Sequence, residues 1–216
     1  MAIVITDVEV VVILAIVLIV VYLIGSYWKH RTLVRLAHWF EDRFGKIARV
    51  QFSSHGHAGL RIRCEMKDRT SGYRELFFSI GLGARENLMY YPLRNVMDNR
   101  DRVSCWGVVD KPIRSNFVLA RTGDKKKISE VEGRANMNRM VQKELENMGF
   151  AVYSSDGHYA SKFIIEASMA SNLSKFEEVE LVELDMLSST IKTVSTLRPE
   201  KLGDLMDFVL LMGRAA

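Results

Sequence analysis

The chain has 216 residues, 48% of them hydrophobic and 26% charged, with 14 glycines and 3 prolines. That balance excludes a disordered, collagen-like or low-complexity polymer and allows one domain of ordinary size, at most two. Cys64 and Cys105 are too few for a disulfide scaffold or a four-cysteine zinc site, and the net charge of +4 hides a lopsided distribution.

Residues 10–24 read VVVILAIVLIVVYLI, with no polar side chain but the Tyr22 hydroxyl. Continued through Trp28 the run has 19 residues, about 28 Å as a helix, close to the thickness of a hydrocarbon core. A buried core helix is the alternative, but such helices carry a polar stripe. Tyr22, Tyr27 and Trp28 suit an interfacial belt on one side. Asp7 and Glu9 precede the run, while Lys29, His30, Arg31 and Arg35 follow it. The positive-inside rule therefore puts the C-terminal side in the cytoplasm, and Trp28, Lys29, Arg31 and Arg35 at the membrane interface. Basic residues before the run and a small-residue cleavage site after it would mark a signal peptide; neither is present. The expectation is a retained single-pass anchor with its N-terminus outside. It would lie in the plasma membrane of a prokaryote or the endoplasmic reticulum of a eukaryote.

Residues 29–44 continue as an amphipathic juxtamembrane helix, with Leu33, Leu36, Ala37, Phe40 and Phe44 on one face. That face either lies on the bilayer or packs on the domain. After Gly45 the period becomes two: residues 47–52, 60–66 and 76–80 read as strands. Gly81-Leu82-Gly83 leads into a helical pattern over 84–98, interrupted at Pro92, and residues 103–109 and 116–121 make two more strands. Residues 128–148 read as one long helix, with Val131, Met137, Met140, Val141, Leu145 and Met148 on a face and Gly149 as its stop. Strands are expected at 162–167, 178–186 and 190–196. A closing helix carries Leu202, Leu205, Met206, Val209 and Leu210, with Pro199 at its start.

The expected fold is α+β: a transmembrane anchor (1–28), a juxtamembrane helix (29–44), and two abutting lobes with antiparallel sheets. The first lobe (45–149) is basic and the second (150–216) acidic, with the long helix connecting them. Residues 29–150 carry a net +10, residues 151–216 a net −4 and residues 1–28 a net −2.

Catalytic signatures are weak. His55 and His57 share a face if they lie in a strand, but no third ligand is near, so no metal is expected. The Gly81-Leu82-Gly83-Ala84-Arg85 turn lacks the Lys-Ser/Thr of a P-loop and the third glycine of a dinucleotide fingerprint. It reads as a plain turn, with Arg85 the helper if an anion binds. Glu178, Glu180 and Glu183 look like the solvent face of a strand. No nucleophile elbow or carboxylate pair stands out, so neither an enzyme nor a cofactor is expected.

The sharpest polar feature is Arg121-Thr122-Gly123-Asp124-Lys125-Lys126-Lys127, expected as an exposed loop. Lysines there act as flexible point charges that suit phosphate and give affinity without sequence choice. Lys67-Asp68-Arg69 is a second basic loop. A basic region beneath a membrane can meet anionic lipid or a phosphate backbone, and a solvated charge run is the plainer reading.

The order of parts carries a resemblance. An anchor is followed by SSHGHAGLRIRCEM, RENLMYYPLRNVMD, RVSCWGVVD, SNFVLAR, TGDKKK and MVQKELENMGF, then FEEVELVELD and PEKLGDLMDFVLLMGR. Over roughly 27–213 this resembles the calumin-like family, the larger subunit of the PAT intramembrane-chaperone complex of the multipass translocon. The resemblance implies a non-enzymatic factor of membrane-protein biogenesis whose partners are Sec translocon subunits, a small membrane chaperone subunit and the ribosome. It makes Arg121 and Lys125–Lys127 the candidate ribosomal RNA contact, and the anchor a partner-binding helix; Lys67, Arg69 and Arg85 are further candidate anion contacts. The family's acidic lumenal region and charged C-terminal coiled coil have no counterpart in residues 1–216. Calcium binding is therefore unsupported, ribosome binding is weakened, and a short prokaryotic, archaeal-type relative is expected. The competing expectation is a membrane-tethered scaffold that oligomerises or binds anionic lipid through residues 29–44.

Overall fold

Asp7–Phe44 form one unbroken helix, α1, of 38 residues, about 57 Å long. The computed structural model describes residues 7–55, 59–83, 100–176 and 178–216. The expected helix over 84–98 with Arg85, and His57, lie outside these residues. The first half of α1 is a stalk: its apolar side chains from Val10 to Ile24 stand exposed except Val21, which is half-buried, and the helix is long and apolar enough to cross a membrane. In the second half Leu36, Phe40 and Phe44 are buried, at the spacing that makes one helical face. The expected anchor and juxtamembrane segments are thus one element, and the apolar face of residues 29–44 packs on the domain.

Gly45–Ile47 turn the chain into strand β1 (Ala48–His55), which pairs antiparallel with β2 (Gly59–Met66), and β2 with β3 (Tyr73–Gly81). A single helical turn at Arg69–Ser71 lies between β2 and β3. Next come β4 (Arg102–Val109), β5 (Phe117–Arg121), helix α2 (Lys125–Glu132), β6 (Asn138–Met140), α3 (Lys143–Asn147) and β7 (Phe150–Ser154). The chain continues through α4 (Gly157–Glu166), α5 (Met169–Lys175), β8 (Val179–Asp185), β9 (Thr190–Thr196) and α6 (Leu202–Ala215). The nine strands found among the described residues join one antiparallel sheet, ordered β1-β2-β3-β4-β9-β8-β5-β7-β6.

The expected α+β class holds, but the two expected lobes interleave. β9 inserts beside β4, and β5 sits between β8 and β7, so strands from both halves share one sheet. Nor do residues 128–148 form a connecting helix. Gly133 caps α2, Asn136 takes a positive φ of 67°, and the chain passes through β6 before the short α3. Both residues are ordinary helix terminators. The strand expected at 162–167 is instead α4, whose amides on His158 and Tyr159 are capped by the Asp156 carboxylate at 2.9 and 3.3 Å.

One sheet face is covered by the second half of α1 together with α4, α5 and α6, and holds the main core. On the other face, among the described residues, the β5, β7, β8 end is covered, by Val131 of α2 over Val118, Ala120, Ala151, Tyr153 and Leu181. β5 and β7 are accordingly buried on both faces, which explains their unbroken apolar runs. Elsewhere on that face Arg63, Phe77, Trp106 and Lys192 stand opposite one another across four strands. The Arg63 guanidinium lies 5.7 Å from the Phe77 ring centroid, and the Phe77 and Trp106 rings stack at 5.5 Å. This is a cross-strand ladder of the kind that stabilises sheets.

Candidate functional site

The end of α1 sets the direction of the domain. Past β2, the Lys67 amide donates to the Ile47 carbonyl at 2.9 Å and its ammonium to the Gly45 carbonyl at 3.0 Å. α1 runs along β1 and β2, so its stalk leaves the domain at the opposite end, where β2 begins and β3 finishes. The Lys67 end lies about 24 Å along the helix from Trp28.

At this remote end three separate segments converge. The Asp110 amide donates to the Gly72 carbonyl at 3.0 Å, holding the β4–β5 loop to the β2–β3 turn. The Arg214 Nε of α6 donates to the Thr70 carbonyl at 3.2 Å. Ile113 is buried, and the Ser115 hydroxyl bonds the Ser155 hydroxyl at 2.8 Å, fastening the loop to the start of α4. A cleft of about 650 Å³ opens between them, lined by Lys111, Arg114, His158, Lys162 and Arg214, together with Tyr159, Asp156 and Glu166. A second groove of about 190 Å³ continues from it along Thr70, Gly72 and Lys111.

In the larger cleft four Lys and Arg side chains exceed two carboxylate side chains, both of them engaged, and the adjoining groove adds Asp110. Asp156 caps α4, and Glu166 lies 3.6 Å from the Lys162 ammonium. Burial pushes the Tyr159 phenol above its ordinary range, Glu166 adds to the rise, and nearby Arg114 opposes it. Exposed cations around a concave surface form an anion-binding arrangement that gains from field focusing in the cleft.

The structure separates the residues singled out in the sequence. Lys67 and Arg69 lie at the cleft end; Arg121 and Lys125–Lys127 lie at the opposite end of the strands. The Arg121 guanidinium is turned into the fold. Its Nε donates to the Val179 carbonyl at 3.0 Å, and it stacks 4.5 Å over the Phe150 ring. Lys125–Lys127 form the first turn of α2 rather than a loop; Lys127 pairs with Glu130 at 3.1 Å, while Lys125 and Lys126 are exposed. Trp28, Arg31 and Arg35 are exposed on α1, but Lys29 is only 3% exposed, on the stripe that continues through Leu33 and Leu36. Among the described residues no group of three His, Cys, Asp or Glu is placed to hold a metal ion.

No protein-family model and no curated protein matches the chain. Among solved structures, that of the mycobacterial trehalose monomycolate transport factor A, TtfA, is similar over 77% of this chain and 70% of that one, at 7% identity and a TM-score of 0.42. That likeness is too loose to carry an argument.

Proposed function

We propose that the chain is a single-span membrane protein whose cytosolic domain is a binding module for a polyanionic partner. The partner seats in the Lys111–Arg114–Lys162–Arg214 cleft. On the resemblance to the calumin-like family that partner is ribosomal RNA, at a Sec translocon inserting multipass proteins beside a small membrane chaperone subunit. One observation carries the reading. The helix whose first half is apolar and mostly exposed is the same helix whose second half is core, so a span in the first half would hold the domain directly below it. Its basic cleft then faces away from the membrane, about 24 Å beneath the interface, where a large partner has room. The flank of Lys29, His30, Arg31 and Arg35 puts that side in the cytoplasm.

Pelleting of the full chain, in nanodiscs, with ribosomes tests this. Binding is expected to fall steeply as salt rises, because phosphate contacts release counterions. Lys111→Glu, Arg114→Glu and Lys162→Glu combined should weaken it by roughly tenfold or more, since each reversal replaces an attraction by a repulsion. Pelleting unchanged in that variant removes the cleft from the reading. A mild-detergent pull-down lacking both Sec subunits and ribosomal proteins removes the translocon.

A further inference from the structure

The two edges of the sheet are built differently. β6 is three residues long, a length that offers little to a pairing strand. β1, at the other edge, keeps an unbroken eight-residue register with β2, from Ala48 opposite Met66 to His55 opposite Gly59. It has no proline and no bulge, and Arg49 is its one Lys, Arg, Asp or Glu residue. Among the described residues nothing pairs with its outer side. About half of its backbone N–H and C=O groups therefore face outward along roughly 26 Å. Natural sheets ordinarily protect such an edge with short strands, bulges, prolines or several charges.

The side chains carry the same message. Val50 and Phe52 share the helix-covered face with the buried Ala48, since they stand opposite Cys64 and Ile62. Yet Phe52 is 40% exposed, and Val34 of α1 and Ile47 at the turn are 41% and 39% exposed. The core ends at this edge with apolar groups uncovered. On the other face Arg49, Gln51 and Ser53 are exposed and polar. A strand laid beside β1 would complete the core if its residues alternated, apolar on the helix side and polar on the other.

We propose that β1 is a strand-addition site for an extended segment of another polypeptide, about seven residues long, with apolar side chains at alternate positions. A second copy of this chain is the wrong occupant. Antiparallel pairing of β1 with its own copy needs a two-fold axis perpendicular to the strands. Because α1 runs along β1 and β2, the two stalks would then leave in opposite directions and could not enter one membrane. That step rests on α1 being the span; the site itself needs neither ribosome nor cleft. Main-chain hydrogen bonds supply the affinity in such complexes, and alternate side chains the selectivity.

The test uses the full chain in nanodiscs and a fluorescein-labelled peptide of alternating valine and threonine with lysine at both ends. The expected result is saturable anisotropy, with new amide-exchange protection at residues 48–55. A peptide N-methylated at alternate residues, unable to donate on one side, should bind roughly tenfold or more weakly. Phe52→Lys should weaken binding while leaving the unfolding midpoint near wild type, because Phe52 already contacts solvent; ribosome pelleting should not change. Equal binding of the N-methylated peptide, or protection away from β1, overturns the proposal. Protection of β1 by self-association without peptide overturns the choice of occupant. Loss of ribosome pelleting in the cleft variant with peptide binding intact distinguishes this site from the cleft.

Discussion

The Tyr73 hydroxyl donates to the Val209 carbonyl at 3.0 Å, joining the first residue of β3 to the last helix across 136 positions of sequence. The ring is fully buried and sits between two glycines. A Cβ on Gly107 would come within 2.5 Å of it, and one on Gly213 within 2.2 Å. Gly213 also approaches the β2–β3 turn, where a Cβ on Gly72, itself at φ +77°, would meet the Gly213 carbonyl at 1.9 Å. This close stacking brings the C-terminal end of α6, and with it Arg214, to the cleft.

Gly213→Ala should therefore cost more than removal of the hydrogen bond itself. Tyr73→Phe leaves the shape intact and is expected to cost about 0.5–1.5 kcal/mol. Gly213→Ala forces ring or helix to move and should cost about 1–3 kcal/mol or more. Denaturant unfolding of both variants checks the order, and a reversed order would mean that the ring, not the helix backbone, is free to adjust.

Phe40 ties the stalk to the sheet. Its ring centroid lies 4.9 Å from that of Phe78 and 5.9 Å from that of Phe44, and all three residues are fully buried. Phe40→Ala should destabilise the domain by about 3–5 kcal/mol through lost burial and a residual cavity. It should also loosen the second half of α1, seen as faster amide exchange at residues 33–44. Unchanged exchange there would mean that Leu36, Phe44 and the Arg43–Asp207 ion pair hold the helix without it.

Much of this architecture was readable because burial imposes a period. β2, β3, β4 and β9 alternate between buried residues on the helix-covered face and more exposed ones on the other, and α6 carries its apolar stripe at helical spacing. The failures occur where spacing fits two structures. Val131, Met137, Met140 and Leu145 suit one helical face, yet they belong to α2, the segment before β6, β6 and α3. The terminators Gly133 and Asn136 were the signal that outweighed the period. Phe163-Ile164-Ile165 resembles a strand, but Asp156 and Gly157 begin a helix in which Phe163 and Ile164 are buried and Ile165 is exposed. The cleft was not readable at all. Lys111, Lys162 and Arg214 are far apart in sequence; the contact between Gly72 and Gly213 brings Arg214 to the β2–β3 turn, and the Ser115–Ser155 hydrogen bond brings α4 with Lys162 to the β4–β5 loop. In the Arg121–Lys127 run, charge was visible but not that Arg121 spends its guanidinium inside the fold.

The two cysteines should be inert until the domain opens. Burial pushes the Cys64 thiol up to about 12; it also raises Cys105 well above its ordinary range, and proximity to Cys64 adds to that. The Tyr73 phenol is raised by burial as well, with Cys105 contributing. Each group is neutral in the fold but ionises at its ordinary pH once unfolded, so the unfolded state loses protons first as pH rises. Stability from these groups is complete below about pH 8.5, the ordinary thiol range, and is lost above it at about 1.4 kcal/mol per pH unit for each thiol. Denaturant midpoints should fall between pH 9 and 11, and iodoacetamide should label neither cysteine at pH 8 without denaturant. Rapid labelling of the native chain would contradict the burial of both thiols.

Helix α2 starts with Lys125, Lys126 and Lys127 and has no acidic residue in its first turn. Cations there oppose the positive end of the helix dipole, each at about 0.3–1 kcal/mol. The Asp124 carboxylate, which accepts from the Lys127 amide at 3.0 Å, offsets part of this, and Glu130 pairs with Lys127. Lys125→Glu with Lys126→Glu should therefore stabilise the domain, raising the melting midpoint by roughly 2–4 °C. The same variant should reduce ribosome pelleting less than the triple reversal in the cleft, because these lysines sit at the opposite end of the strands. A fall in pelleting equal to that of the cleft variant would return the principal anion contact to Lys125 and Lys126. A lower melting midpoint would mean that their side chains make contacts worth more than the dipole penalty.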